Sequence, residues 1–168
     1  RTKDMDRADL VAANVPIFVG QGRAIDAVAS RNVKVITVGN PCNTNALIAS
    51  ANAPGMSSRQ FTAMTRLDQN RAVGQMAERA GVPASKVLDV FIWGNHANTI
   101  DPDPRFGTVD GRSATDLFDS DWLQGSFLDT VSTRGKAVIM ARGASSAASA
   151  ASAAVDHMRD WWQGSNGR

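Results

Sequence analysis

The segment NVKVITVGNP, residues 32–41, constrains the fold of this chain most strongly. Its β-branched run is typical of a buried strand in a parallel sheet, and the Gly-Asn-Pro at its end predicts a sharp turn where the strand stops. The next residues, CNTNALIASANA, predict a helix that is capped by Asn43 or Thr44. A strand, a tight turn and a helix in this order indicate an α/β fold.

Helical patterns flank this strand on both sides. Apolar residues at helical spacing after an Asp-rich start predict a helix from Met5 to about Ser30, which Pro16 is expected to bend or interrupt. The segment FTAMTRLDQNRAVGQMAERAG predicts an extended stretch and then a helix, which stops at the Gly-Val-Pro of residues 81–83. Extended and helical segments therefore alternate over the first half of the chain.

The second half predicts a further strand, a hairpin and two helical segments. KVLDVFIWGN is strand-like and ends in a polar turn, while TIDPDPRFGTVDGR predicts turns and a hairpin around Asp110-Gly111. From Asp119 through Trp162 the pattern is helical, with a break near Gly143. The stretch GASSAASAASAA after this break has so few large side chains that it is expected to pack by close backbone approach.

Composition narrows the class of protein. The 168 residues, 43% of them apolar, are enough for one domain, or most of one, with a real core. The 18 basic and 16 acidic residues form no basic run, so we expect no nucleic-acid partner, and no apolar stretch is long enough to predict a membrane span. Cys42, the single cysteine, cannot form an internal disulfide and belongs to no metal-ligand spacing. We therefore expect no metal site and a cytoplasmic location.

The stretch VGQGRAI, residues 19–25, resembles the start of a glycine motif that binds dinucleotides. It lacks the third glycine, and it stands in a helical pattern rather than after a strand. We therefore predict that it is not a phosphate-binding loop.

Three residues are candidates for proton-transfer chemistry: Asp68, Arg71 and His96. Taken singly, the first two suggest a solvated ion pair on a helix, and a histidine in a turn is often only hydrogen-bonded. Taken together, an Asp at the start of a helix and a His at the end of the next strand can meet at the C-terminal edge of an α/β sheet. The Asp would hold the imidazole in one tautomer, while the arginine matches a carboxylate. The set predicts a small anionic substrate with a hydroxyl or carbonyl to protonate.

Five segments carry a resemblance to a known family: VITVGNPCNTNALI, FTAMTRLDQNRA, VFIWGNHANT, VDGRSA and MARGASSAASAASAAVDHMRDW. They resemble the NAD-dependent malate dehydrogenases, in the cytosolic and bacterial branch of the lactate/malate dehydrogenase family. The resemblance implies that residues 1–60 are the second part of a Rossmann-type NAD-binding domain. It implies that residues 61–168 are the helical first part of an α+β catalytic domain, and that the chain is a central fragment without the N-terminal βαβ unit and the C-terminal end.

The resemblance also implies roles for single residues. His96 would be the proton acceptor when malate is oxidised to oxaloacetate, with Asp68 as its partner. The residues implied in substrate binding are Arg1, Arg7, Asn40 and Arg71. Those implied in binding NAD are Asn14, Gln21, Val38, Gly39 and Asn40.

The sequence departs from the family in the active-site loop RTKDMDR, where Asp4 stands in place of a glycine. The change removes backbone freedom and adds a negative charge between Arg1 and Arg7, which are the implied ligands of a dicarboxylate. Because this sequence contains no glycine-rich turn of a first βαβ unit, we expect the isolated 168 residues to bind NAD poorly and to be nearly inactive. The full-length enzyme is expected to be a homodimer.

Two other functions stay open. One is a non-catalytic remnant or binding module, although the complete set of Asp68, Arg71 and His96 argues against it. The other is a dehydrogenase for a different 2-hydroxy acid, such as lactate. The two arginines of RTKDMDR favour a dicarboxylate over that alternative.

Overall fold

The structure, a computed structural model, describes residues 7–96 and 99–165. The chain divides into two compact units, Arg1–Met64 and Thr65–Arg168, which we call the first and the second unit. Both units combine helices with strands, as the α/β class predicts.

The first unit packs helices on a pair of parallel strands. Its elements in chain order are α1 (Arg7–Val28), β1 (Val35–Thr37), α2 (Cys42–Ala51) and β2 (Phe61–Ala63). Val35 of β1 stands opposite Phe61 of β2, and the two strands run parallel. The strand and the helix predicted on either side of the Gly-Asn-Pro turn are therefore both present. The core of this unit is built around Ala49, Ala53 and Phe61.

Helix α1 continues through Pro16, so the structure does not show the interruption predicted there. Gly20 and Gly22 lie inside this helix rather than in a loop. A Cβ atom at Gly22 would lie 2.3 Å from the Ala49 carbonyl oxygen of α2, whereas a Cβ atom at Gly20 would meet nothing within 4 Å. Gly22 thus lets the two helices approach closely.

Helix α2 begins earlier than the sequence predicted. Pro41 is its N-cap residue and provides no side-chain cap, so the prediction that Asn43 or Thr44 caps this helix is wrong. Proline suits the start of a helix because its fixed φ angle is already close to helical and its missing N–H would have no helical partner there. Both predicted cap residues consequently lie inside the first turn.

The second unit begins with α3 (Arg66–Ala80), which follows Thr65 and ends at Gly81 with a φ of 68°. The single strand predicted for KVLDVFIWGN is instead two short strands, β3 (Val87–Leu88) and β4 (Phe91–Trp93). Asp89 lies between them with a φ of 57°, a left-handed conformation that ends β3.

The strands of the second unit form small antiparallel sheets. β4 pairs with β5 (Asp101–Asp103), and β3 pairs with β6 (Thr108–Val109), which pairs in turn with β7 (Arg112–Ser113). The turn between β6 and β7 is Asp110-Gly111, both with positive φ, as the sequence predicted. Strand β5 was not predicted, because Pro102 within it and Pro104 after it indicated turns.

Helices complete the second unit. They are α4 (Ala114–Leu117), α5 (Ser120–Trp122), a π-helical turn (Leu123–Phe127), α6 (Leu128–Arg142) and α7 (Ala147–Gln163). The break between α6 and α7 falls at Gly143, which has a φ of 71°. The small-residue helix α7 packs against α3, with Ala153 fully buried, which agrees with the close approach predicted from its composition.

The helices and the acidic, histidine and cysteine side chains of the described residues bear on wider function. Every helix that these residues form is too short or too polar to cross a membrane. They also contain no group of three or more His, Cys, Asp or Glu side chains placed to hold a metal ion.

Candidate active site

A buried carboxylate joins the three residues singled out in the sequence. One oxygen of Asp68, Oδ2, lies 2.5 Å from Nδ1 of His96, and the other, Oδ1, accepts a hydrogen bond from Nη1 of Arg71 at 3.1 Å. Asp68 is only 1% exposed, while the His96 side chain is 30% exposed. The histidine is therefore anchored on its inner side and open to solvent on its outer side.

The start of α3 explains how Asp68 and Arg71 come together. The helix begins after Thr65, which places Asp68 in the first turn, where the helix dipole favours a negative charge. Arg71 follows three positions later, on the same face of the helix. The solvated ion pair considered from the sequence is thus not what forms, because the Asp68 side chain is buried.

The β4–β5 strand pair positions His96 next to the Asp68 carboxylate. Gln69, next to Asp68 in α3, donates a hydrogen bond from Nε2 to the Val90 carbonyl oxygen at 2.9 Å, directly before β4 begins. The sequence predicted that His96 and Asp68 meet at the C-terminal edge of an α/β sheet. They do meet, but His96 follows a strand that is paired antiparallel in a two-stranded sheet, so that reason was wrong.

Glycine is required directly after β4. Gly94 has a φ of 77°, and a Cβ atom there would lie 2.1 Å from the Thr99 carbonyl oxygen. A side chain is excluded by both the backbone conformation and the close approach. The glycine of the Gly-Asn-His turn thus allows the chain to bend tightly before it presents His96.

A second buried carboxylate, Asp103, supports the same strand pair. Its Oδ2 accepts from Trp93 Nε1 at 2.9 Å and from Arg105 Nη2 at 2.7 Å, and its Oδ1 accepts from the Arg105 backbone N–H at 3.0 Å and Nε at 2.8 Å. We call these three residues the Asp103 clasp. The hydrogen bonds from the Arg105 side chain are the main reason that the pKa of Asp103 lies far below its usual range.

The turn after β1 is held by two asparagine side chains of the first unit. Asn45 is fully buried and donates from Nδ2 to the Gly39 carbonyl oxygen at 3.0 Å. Asn14 on α1 donates from Nδ2 to the Asn40 carbonyl oxygen, also at 3.0 Å. The turn itself is exposed, so it presents Val38, Gly39 and Asn40 from a fixed backbone.

Two of the remaining predicted site residues, Arg7 and Gln21, belong to α1. Gln21 is an exposed residue of α1, and Arg7 is the first residue of that helix. Arg1, like Asp4, lies outside the described residues. The substrate and cofactor roles implied for these residues stay predictions.

Three supporting residues were not foreseen from the sequence: Asp103, Asn45 and Gly135. A Cβ atom at Gly135 in α6 would lie 3.7 Å from both Nη atoms of Arg71, so this glycine borders the guanidinium. The nearness of Asp103 to Arg105 in the sequence was a signal for a local ion pair. No comparable signal marked Asn45 or Gly135, because their partners come from other elements.

Family models match nearly the whole chain. The model of the lactate/malate dehydrogenase NAD binding domain matches residues 1–62. The model of the lactate/malate dehydrogenase alpha/beta C-terminal domain matches residues 65–168. The two matches meet close to the boundary between the first and the second unit.

Solved structures from the same family are similar to this chain. The malate dehydrogenase from Naegleria fowleri is 44% identical, with a TM-score of 0.89, over 96% of this chain and 50% of that protein. A lactate dehydrogenase from Trichomonas vaginalis, solved with NADH and oxamate, is 34% identical, with a TM-score of 0.89 and the same coverage of 96% and 50%. The malate dehydrogenase from Salinibacter ruber, 24% identical with a TM-score of 0.80 over 92% of this chain and 50% of that protein, shares the fold. The chain thus spans about 50% of the length of these proteins.

Proposed function

Because the chain belongs to the lactate/malate dehydrogenase family, we propose that the full-length protein oxidises malate to oxaloacetate with NAD as the oxidant. The observation that supports this most directly is the Asp68 carboxylate, which holds His96 on one oxygen and Arg71 on the other. A proton acceptor beside an arginine that binds carboxylates is what the oxidation of a 2-hydroxy acid requires.

His96 is the residue that takes the proton of the substrate hydroxyl. A carboxylate only accepts hydrogen bonds, so the Nδ1 of His96 that faces Asp68 carries the proton and Nε2 keeps a free lone pair. When Nε2 takes the hydroxyl proton, the imidazole becomes positively charged beside the buried negative charge of Asp68. In the reverse direction the same nitrogen returns the proton to the C2 oxygen.

Arg71 binds the substrate carboxylate next to the reacting carbon. Its planar guanidinium has five N–H donors, and its hydrogen bond to Asp68 uses Nη1. The other donors offer the two-pronged geometry that a carboxylate prefers. Gly135 borders the guanidinium: a Cβ atom there would already be in contact with both Nη atoms at 3.7 Å, so a side chain longer than that of alanine would press on Arg71.

The residues of the first unit fit the nicotinamide end of NAD. The turn Val38 to Asn40 is exposed, and its carbonyl groups are held by buried or partly buried asparagines, so it offers a rigid polar backbone to an amide. When bound, NAD accepts the hydride that leaves C2 of malate. Gly20 and Gly22 lie inside helix α1, so they do not form a loop for the pyrophosphate. The described residues of the first unit therefore account for the nicotinamide end of NAD and not for its pyrophosphate.

The preference for malate over lactate rests on Arg1 and Arg7, which are proposed to bind the second carboxylate of a dicarboxylate. Lactate is the alternative substrate, because a lactate dehydrogenase is also 34% identical to this chain. We further propose that the full-length enzyme is a cytoplasmic homodimer, and that the isolated 168 residues are nearly inactive.

One set of assays tests the proposed substrate and the predicted inactivity of the isolated chain. Full-length protein and the isolated 168 residues are each mixed with NADH and either oxaloacetate or pyruvate, and the loss of NADH absorbance is followed. We expect the full-length protein to reduce oxaloacetate far faster than pyruvate and the isolated chain to be nearly inactive. A preference for pyruvate would make it a lactate dehydrogenase. No turnover of either acid by the full-length protein would support a non-catalytic remnant, and activity of the isolated chain would refute its predicted inactivity.

A further inference from the structure

We propose that Asp103 is a positioning residue of this enzyme, because the Asp103 clasp fixes the strand pair that holds His96 against Asp68. The inference rests on the proposed function, since it assigns to Asp103 an effect on proton transfer to His96. Asp103 itself is 3% exposed and bonds to Trp93 and Arg105, not to the residues of the catalytic set.

The clasp fixes the register of β4 against β5. Each strand is only three residues long, and a two-stranded sheet of this size is marginally stable alone. Phe91 stands opposite Asp103 and Trp93 opposite Asp101, so the bond from the Trp93 indole to Asp103 runs diagonally across the pair. A slip by one residue would break this bond and turn the side chains of β4 to the opposite face.

The position of β4 determines the position of His96. At its start, β4 is tied to α3 by the hydrogen bond from Gln69 to the Val90 carbonyl oxygen. At its end, Trp93 is held by the clasp, and Gly94 packs against the Thr99 backbone. His96 follows directly and reaches Asp68 in α3. Release of Trp93 therefore frees the end of β4 nearest to the catalytic histidine.

The four hydrogen bonds of Asp103 need a carboxylate. Both oxygens accept, one from Trp93 and Arg105 and the other from the Arg105 side chain and backbone. In Asp103→Asn, an NH₂ group replaces one oxygen. In either orientation of the amide this group faces an N–H donor of the Arg105 guanidinium, and in one orientation it also faces the Trp93 indole. The substitution keeps the size of the side chain and removes half of the clasp.

Kinetics of full-length variants provide the first test. Asp103→Asn should lower kcat for oxaloacetate reduction by roughly tenfold to a hundredfold, the loss that a displaced catalytic group causes. The KM should change less, because Arg71 is held by Asp68 on α3. Asp101→Asn, an exposed residue on the same strand, is the matched control and should leave kcat unchanged. Trp93→Phe removes the indole N–H together with one ring of a half-exposed side chain and should reproduce part of the loss. It replaces Asp103→Asn if that variant does not fold.

A double-mutant cycle separates positioning from a general loss of structure. If Asp103 acts through the Asp68 and His96 pair, then Asp103→Asn should reduce kcat much less in an Asp68→Asn background than in the wild type. Equal factors in both backgrounds would overturn the proposal. So would a normal kcat in a folded Asp103→Asn protein.

A proton NMR measurement tests the inference without turnover. The imidazole N–H that points at Asp68 should give a downfield resonance, which disappears in Asp68→Asn. We expect this resonance to be lost or broadened in Asp103→Asn and in Trp93→Phe, and to persist in Asp101→Asn. A sharp, unshifted resonance in folded Asp103→Asn would overturn the proposal, even if the full-length protein reduced neither oxaloacetate nor pyruvate. Failure of the proposed function is seen separately, as inactive wild-type protein.

Discussion

The substitution Asp68→Asn tests the catalytic arrangement most directly. Asparagine has the same shape as aspartate but only one acceptor oxygen, whereas Asp68 uses one oxygen for His96 and the other for Arg71. If the amide nitrogen faces His96, it donates to Nδ1 and moves the imidazole proton to Nε2. In that tautomer Nε2 cannot take a proton from the substrate.

The expected loss of activity in Asp68→Asn follows from the interactions that the substitution removes. General-base catalysis contributes about 10²- to 10⁴-fold, and loss of the correct tautomer removes most of it. At about 1.4 kcal/mol for each factor of ten, this corresponds to roughly 3–5 kcal/mol in the activation free energy. The buried charge of Asp68 also disappears, so its charge-assisted hydrogen bonds to both partners are weakened, each worth about 1.5–3 kcal/mol. Some loss of thermal stability should therefore accompany the loss of turnover.

The assay compares full-length wild type with Asp68→Asn and with Asp129→Asn. Asp129 is an exposed acidic residue in the first turn of α6, so its variant reproduces the change at a helix start without touching the site. We expect kcat for oxaloacetate reduction to fall only in Asp68→Asn, while circular dichroism shows folded protein in all three. A folded Asp68→Asn enzyme that keeps turnover within about tenfold of wild type would refute the assignment of this pair.

Three further predictions concern stability and binding in the full-length protein. Gly22→Ala should lower the free energy of unfolding by about 1–3 kcal/mol, because its Cβ would lie 2.3 Å from a carbonyl oxygen of α2. Gly20→Ala, whose Cβ would meet nothing within 4 Å, should be neutral or stabilising, and chemical denaturation of both variants measures the difference. Gly135→Leu should raise the KM for oxaloacetate by roughly tenfold or more by displacing Arg71, whereas Gly135→Ala, with a Cβ at 3.7 Å, should not. The lowered pKa of Asp103 stabilises the fold above about pH 4 and this contribution is lost as the pH falls, so the difference in thermal stability between wild type and Asp103→Asn should shrink in acid.

Local patterns predicted those parts of the fold whose causes are local. The positive φ at Gly81 and Gly143 ends helices where the sequence indicated, and Asp110-Gly111 forms the predicted hairpin turn. The wrong predictions concern backbone conformations that the local sequence pattern alone does not determine. Of the bend or interruption predicted at Pro16, the interruption does not occur, and Asp89 divides a run of strand-forming residues with a positive φ that its residue type does not require.

In the candidate site, too, contacts within one helix could be predicted from the sequence and contacts between elements could not. Asp68 and Arg71 share a helical face by their spacing alone, so their contact was predictable. Their burial was not, since it depends on the elements that cover the start of α3. The clasp at Asp103 and the support of Gly39 by Asn45 depend on side chains that meet only in the folded chain. Such contacts leave no periodic pattern in the sequence.

The charges of the site connect substrate binding to proton transfer. With a neutral imidazole, Asp68 and Arg71 cancel, and the buried pair carries no net charge. In the proposed reaction, a substrate carboxylate on Arg71 would add one negative charge, and a proton taken by His96 would restore neutrality. Binding of the carboxylate therefore favours the charged imidazole that the reaction produces, in surroundings where charges are poorly screened. A substrate analogue without this carboxylate should consequently lose turnover as well as affinity, because the interaction is stronger after proton transfer than before it.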